Sequence, residues 1–266
     1  MAYATSLDGT RIYYEQHGSG PAVVLVHGSG GHHLSWWQQV CWLRERYTVV
    51  TLDLRGFGRS HTEIDRFDAA ALPDDIAAVL SAARLQRAVL VGQSTGGAAV
   101  LRTALRAPQR VAGVVLAQSI GAIRDPQLSA RAREDRARAE QLPLMDRLLT
   151  PEFRRDHPDF AFLFQQMGTF NDAGIAQLRP LGADGPTVPE VIDSGIPLCF
   201  LAGDSDPALS PQTVRAAAER VTGAVLELVP GGPHAMYWER PELFNPALER
   251  FLRQVYSIVA TGARHQ

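Results

Sequence analysis

Residues 88–107 read AVLVGQSTGGAAVLRTALRA, and the fold turns on this stretch. Its apolar opening has the composition of a buried strand, and the run after Gly97 has the spacing of an amphipathic helix. Between them lies Gly92-Gln93-Ser94-Thr95-Gly96, a G-x-S-x-G pattern. The pattern alone is weak, but between a strand and a helix it describes a tight turn that holds a serine in a strained backbone. The residues two positions to either side must then be nearly free of side chain, and here they are Gly92 and Gly96. Ser94 is therefore the candidate nucleophile. The plainer alternative, a serine that merely caps the following helix, leaves both flanking glycines unexplained.

Outward from this turn, short β-branched runs alternate with helical patterns. TRIYYEQHG and AVVLVHG read as an opening strand pair, followed by an amphipathic segment from Ser35 to Arg46 and the strand YTVVTLD. A helix within Pro73 to Arg84 precedes AVLVGQ, a helix from Thr95 to Ala107 follows it, and the strand VAGVVLAQ comes next. This alternation predicts an α/β class fold: a mostly parallel central sheet with helices on both faces.

From Ile123 the alternation stops until PLCFLAG near Pro197. The gap holds the charged run SARAREDRARAEQ, the aromatic DFAFLFQQMGTF and a Gly/Pro-rich exit, LGADGPTVPE. A charged run of this kind reads as a solvated helix face, whereas FAFLF needs a packing partner. Residues 1–122 and 191–266 are thus expected to form one core, with residues 123–190 a helical cap inserted into it. The core resumes with PLCFLAG, a helix from Pro211 capped by Ser210, the strand AVLELVP and a last helix from Pro241 to Tyr256.

Composition removes several function classes. A chain of 266 residues with 45% hydrophobic content can bury a substantial core, and its net charge of -2 offers no basic field for nucleic acid. All 26 basic residues are arginine, which excludes a lysine Schiff base and a phosphate-loop lysine. Cys41 and Cys199 lie in apolar stretches without metal or redox spacing and read as buried free thiols. The opening MAYATSLDGTRIYYE has no charged n-region and no apolar h-region, and no long apolar run follows. The expectation is a cytoplasmic protein with no membrane or nucleic-acid partner. The tail SIVATGARHQ reads as a frayed end.

A serine hydroxyl needs a base to accept its proton, and the base needs a carboxylate to fix its tautomer. After PLCFLAG comes Asp204-Ser205-Asp206-Pro207, and after AVLELVP comes Gly231-Gly232-Pro233-His234. Both acids and the histidine fall in loops at the C-terminal ends of strands, on the edge that carries Ser94.

HGSGG, DLRGFGRS, VGQSTGG, GDSDP and GGPHAMYWERPELFN together resemble the α/β-hydrolase superfamily, over almost the whole chain outside the cap, with a serine at the elbow as in its esterase-like members. The resemblance implies a Ser94, Asp206, His234 triad. Asp206 is preferred because the family's acid commonly follows a glycine in a G-x-x-D pattern, here Gly203 to Asp206; Asp204 is the alternative, and Asp125 a more distant one. His61, His157 and His265 lack such a setting. The same resemblance implies an oxyanion hole of two backbone N–H groups, from Thr95 after the nucleophile and from Ser29 in the His27-Gly28-Ser29 loop, with His27 organising that loop.

The implied chemistry is hydrolysis of a small to medium ester or lactone, with an apolar or aromatic acyl group, through an acyl-enzyme. The mechanism calls for no metal and no organic cofactor. The substrate pocket is expected between the elbow and the cap, lined by His32, His33, Trp36 and Trp37 on one side and Phe164 and Met167 on the other, with Phe160, Phe162 and Phe170 near. Acyl transfer to an acceptor other than water stays open, as do two further alternatives. Carbon-carbon hydrolases of ring-cleavage products have a similar Gly-rich loop, but typically carry Asn at the position of Gln93 and Trp at that of Ala235. A hydrolase-like ligand-binding signalling protein would keep the triad and turn over slowly.

Overall fold

The computed structural model describes residues 2–63, 66–174 and 184–262. Among them, β1 (Ala2–Thr5), β2 (Arg11–His17), β3 (Ala22–Val26), β4 (Thr48–Leu52), β5 (Ala88–Gln93), β6 (Val111–Ala117), β7 (Leu198–Gly203) and β8 (Val225–Val229) form one sheet. Its order is β1-β2-β4-β3-β5-β6-β7-β8. β2 runs antiparallel to β1 and β4, and every other pairing is parallel. The helices are α1 (Trp37–Leu43), α2 (Leu72–Ala82), α3 (Thr95–Arg106), α4 (Pro126–Ala139), α5 (Leu144–Leu148), α6 (Pro151–Asp156), α7 (Pro158–Met167), α8 (Val188–Asp193), α9 (Pro211–Arg220), α10 (Met236–Glu239) and α11 (Pro241–Gly262). None of the described helices is long and apolar enough to cross a membrane.

The sheet is covered on both faces, which is why its parallel strands read as continuous apolar runs. Successive residues of β3 and β5 alternate between two cores. Val24, Val26 and Leu90 join the α2, α3 and α9 side with Ile76, Val100 and Val214. Val23, Leu25, Val89 and Val91 join the α1 and α11 side with Leu43, Phe244 and Leu248. Each fully buried Val or Leu contributes about 1.5–3 kcal/mol.

Three expectations change. TRIYYEQHG and AVVLVHG do not pair with each other. β2 pairs with β1, a short strand the sequence reading did not assign, and with β4, while β3 lies between β4 and β5. The parallel crossover through α1 places β4 on one side of β3, and the next crossover places β5 on the other, so neighbours in sequence are not neighbours in space. Cys199 is buried but Cys41 is exposed, because it sits on the solvent side of amphipathic α1. The last helix continues past Tyr256 to Gly262. His265, in the expected frayed tail, and Leu181 to Ala183, in the Gly/Pro-rich exit, lie outside the described residues.

One buried ion pair fixes the loop after β4. Arg55, 1% exposed, meets Asp75 of α2 through two bonds of 2.7 and 2.6 Å, and Asp8 of the β1–β2 turn at 2.7 Å. This fork ties the loop after β4 to α2 and to the β1–β2 turn.

Candidate active site

Ser94 ends β5 and starts α3 with φ 51° and ψ -116°, a left-handed conformation that costs a non-glycine residue about 1–3 kcal/mol. The surrounding backbone enforces it. A Cβ at Gly92 would collide with the carbonyl of Gly96, and one at Gly96 would lie 2.5 Å from the carbonyl of His27. Ser94 occupies the N-cap position, yet its side chain makes no capping hydrogen bond. Its N–H donates to the Ala117 carbonyl at 2.8 Å, which ties the turn to β6.

Asp206 and His234 come from the loops after β7 and β8. His234 Nδ1 bonds Asp206 Oδ2 at 2.8 Å, with the two residues only 7% and 5% exposed. The other Asp206 oxygen accepts the N–H groups of Ala208 at 2.8 Å and Leu209 at 3.0 Å, so the carboxylate is held at both ends. A carboxylate only accepts, so Nδ1 carries the proton and Nε2 keeps its lone pair. Burial lowers the His234 pKa, but the Asp206 charge and hydrogen bond raise it by more, and the net direction is upward.

The other acids serve local structure. Asp204 is exposed and accepts the Gly231 N–H at 2.7 Å, which joins the β7 and β8 loops. Asp125 caps α4 by accepting the N–H groups of Gln127 and Leu128, each at 2.9 Å.

The loop after β3 is organised by His27. Its Nε2 accepts the Leu54 N–H at 3.0 Å, so Nδ1 carries the proton and donates to the Gly28 carbonyl at 2.7 Å. Burial lowers the His27 pKa to about 4, which keeps the ring neutral. Gly31 N–H donates to the same carbonyl at 3.2 Å. Peptide planarity then sends the Ser29 N–H to the opposite side. Thr95 opens α3, and its N–H belongs to the first helical turn, where no intrahelical acceptor exists. Gln93 reaches across the site, its amide donating to the His234 carbonyl at 3.4 Å.

The expected lining residues divide. Trp36 is 0% exposed and packs on Tyr237 at 4.8 Å and Phe244 at 6.1 Å, so it belongs to the core and not to a pocket. His33 is held at Asp53, whose Oδ1 takes its ring N–H at 2.7 Å and its backbone N–H at 2.6 Å. These bonds lock His33 to the loop that follows β4. Trp37, 40% exposed, stacks on Phe160 at 6.1 Å, and Phe164 meets Trp238 edge-on at 5.4 Å. His32 lies 6.3 Å from Phe170, and Met167 is buried. Phe162 and Phe170 are 64% and 66% exposed. His32, His33 and Asp53 bring potential ligand atoms within 4.8 Å of one another. Asp53, however, already accepts three N–H groups, the third from Arg59 at 2.8 Å, and a metal there would displace good hydrogen bonds.

Two buried carboxylates that the sequence reading missed join the 123–190 segment to the loops of the site. Asp135 of α4 is 3% exposed, so the charged run is not wholly a solvated face. It accepts both the N–H and the hydroxyl of Ser210 at 2.9 Å, just after the Asp206 loop. Glu239 of α10 accepts the Thr150 N–H at 2.9 Å and its hydroxyl at 3.2 Å, while Ala235 N–H donates to the Leu148 carbonyl at 3.2 Å. Cavities of about 810 Å³ at Arg84, Arg87 and Tyr256, and about 710 Å³ at Arg11, Arg59 and His61, take in none of Ser94, Asp206 or His234.

A sheet of this order, with its strained serine turn and its histidine-bearing loop on one edge, is the architecture of the α/β-hydrolases. The chain belongs to that family: the family model described as alpha/beta hydrolase fold matches residues 21–241. It is 26% identical over 240 residues to 3-oxoadipate enol-lactonase 2 of Acinetobacter baylyi, covering 88% of this chain and 89% of the relative. Among solved structures it is similar to a thermophilic esterase from Thermogutta terrifontis, with TM-score 0.80 and 26% identity over 96% of this chain and 98% of that one. It is also similar to a bromoperoxidase from Bacillus anthracis, with TM-score 0.78 and 25% identity over 95% and 99% of the two chains.

Proposed function

We propose that this hydrolase cleaves small to medium carboxylic esters or lactones through an acyl-enzyme on Ser94. The hydrogen bond from His234 Nδ1 to Asp206 carries the reading, because it leaves Nε2 as the acceptor on the edge where Ser94 stands. His234 takes the serine proton as the hydroxyl attacks the acyl carbonyl and returns it to the leaving oxygen; water follows the same route to release the acid. Thr95 and Ser29 N–H groups stabilise the oxyanion. The relatives named as esterase and enol-lactonase support ester and lactone bonds as the substrate class.

In this reading residues 123–190 cap the site, and the aromatic side chains of α7 favour apolar or aromatic acyl groups. The enzyme acts in the cytoplasm on a small molecule, without a nucleic-acid or membrane partner.

The test is labelling with a fluorophosphonate probe and turnover of short and medium p-nitrophenyl esters, comparing the wild type with Ser94→Ala and His234→Ala. Probe attached at Ser94 and turnover lost in both variants are expected. An unlabelled Ser94 with no ester turnover above the variants overturns the proposal and favours slow ligand binding.

A further inference from the structure

The Ser94–Thr95 peptide carries the carbonyl of one residue and the N–H of the next, and planarity keeps them on opposite sides. Whatever holds the Ser94 carbonyl therefore aims the Thr95 N–H. Ser119, in the loop after β6, donates its hydroxyl to that carbonyl at 2.7 Å, and the Gly97 N–H joins at 3.0 Å. The Ser119 oxygen in turn accepts the Gly121 N–H at 3.1 Å, so its proton is committed to Ser94.

The local backbone serves this contact. Gln118, just before Ser119, has φ 45°, an uncommon conformation for a side chain of its size. Its N–H donates to the Leu201 carbonyl at 2.8 Å, while the preceding Ala117 carbonyl accepts Ser94 N–H at 2.8 Å. The bend at Gln118 thus starts from a peptide pinned on both sides and delivers Ser119 to the elbow. Gly97 leaves the space, since a Cβ there would collide with the Ser119 hydroxyl. Ser119 is 8% exposed, which limits competition from solvent.

We propose that Ser119 is a positioning residue: its hydroxyl fixes the Ser94–Thr95 peptide so that the Thr95 N–H is aimed at the oxyanion before the substrate arrives. This rests on the serine-hydrolase reading above. Fixing a donor in advance matters because a dipole that must reorient during the reaction loses part of its stabilising effect. The His27 contact with the Gly28 carbonyl does the same for the Ser29 N–H, so each donor is set through the carbonyl of its own peptide.

The experiment compares wild type, Ser119→Ala and Ser119→Cys, the last keeping the shape but donating weakly. It measures kcat and KM on p-nitrophenyl butyrate, inhibition by an aryl trifluoromethyl ketone that forms a tetrahedral adduct on the serine, and the thermal midpoint. Both variants are expected to lose kcat about ten-fold, with KM held within about two-fold and ketone affinity weakened by a similar factor. Unchanged kcat and ketone affinity overturn the proposal, as does a loss of kcat that only tracks a fall in midpoint. Fluorophosphonate labelling of wild-type Ser94 separates the two failures: labelled protein with unaffected variants sinks the Ser119 role alone, whereas unlabelled wild type removes the hydrolase reading itself.

Discussion

His234 and Asp206 face each other across two loops, Nδ1 to Oδ2 at 2.8 Å, and among the described residues the other hydrogen bonds of that carboxylate come from the backbone N–H groups of Ala208 and Leu209. The pair is thus a charge fixed against an imidazole, with the histidine pKa pulled upward against the effect of its burial.

Removing that charge separates the two opposing causes. In Asp206→Asn burial acts alone, so the His234 pKa falls. In the proposed mechanism only the neutral His234 acts as base, so the acid limb of kcat/KM moves to lower pH. The maximal rate falls by about 10³–10⁴-fold, because the imidazolium loses its partner and its tautomer is no longer fixed. Asp204→Asn keeps the wild-type limb. pH–rate profiles of the two variants distinguish them, and an unmoved limb in Asp206→Asn assigns the carboxylate elsewhere.

His27 gives a stability prediction. Its pKa drops from the usual 6.5 to about 4 on folding, so between these values the unfolded chain binds more protons than the folded one. Stability is fully present above 6.5 and is lost as pH falls towards 4. At about 1.4 kcal/mol for each pKa unit, the loss is about 3 kcal/mol. Urea denaturation of wild type and His27→Gln at both ends of that window should show the pH dependence shrinking in the variant by this amount.

The places of Ser94, Asp206 and His234 in the fold were legible because each sits in a short contiguous motif at the end of a strand, where sequence and position in the fold coincide. Strand order was not, since AVVLV and TRIYYEQHG carry no local mark of which crossover separates them. Nor were Asp135 and Glu239. A carboxylate inside SARAREDRARAEQ looks like its charged neighbours until α9 covers it. Trp36 and Trp37 show a related limit. Adjacent helical residues cannot share a face, so one had to be buried, but the sequence does not say that it is Trp36.

The Arg55–Asp75 fork makes a separate prediction about the scaffold. The two side chains are 1% and 0% exposed, so Arg55→Met leaves a buried carboxylate without its partner. The expected cost is about 3–5 kcal/mol, far more than an exposed pair would show. Arg55→Met with Asp75→Leu removes both charges and should recover most of that loss. Chemical denaturation of the single and double variants measures the difference, and equal destabilisation in both contradicts the account.

Trp37 is the last point of leverage, because it joins the core to α7 by a stacked contact on Phe160, 6.1 Å apart and 5° from parallel. Both rings are partly exposed, at 40% and 36%, so the stack contributes about 0.5–1.5 kcal/mol beyond the area it buries and little of the global stability. Trp37→Ala should therefore leave the unfolding midpoint nearly unchanged while loosening α7 over the proposed site. If α7 orders the acyl group, the KM for aromatic and long-chain p-nitrophenyl esters rises about ten-fold, equivalent to the stacking free energy, while that for the acetate stays level. A parallel change for all chain lengths would place the effect on the shared chemistry instead, and no change for any ester would mean that α7 does not order the acyl group.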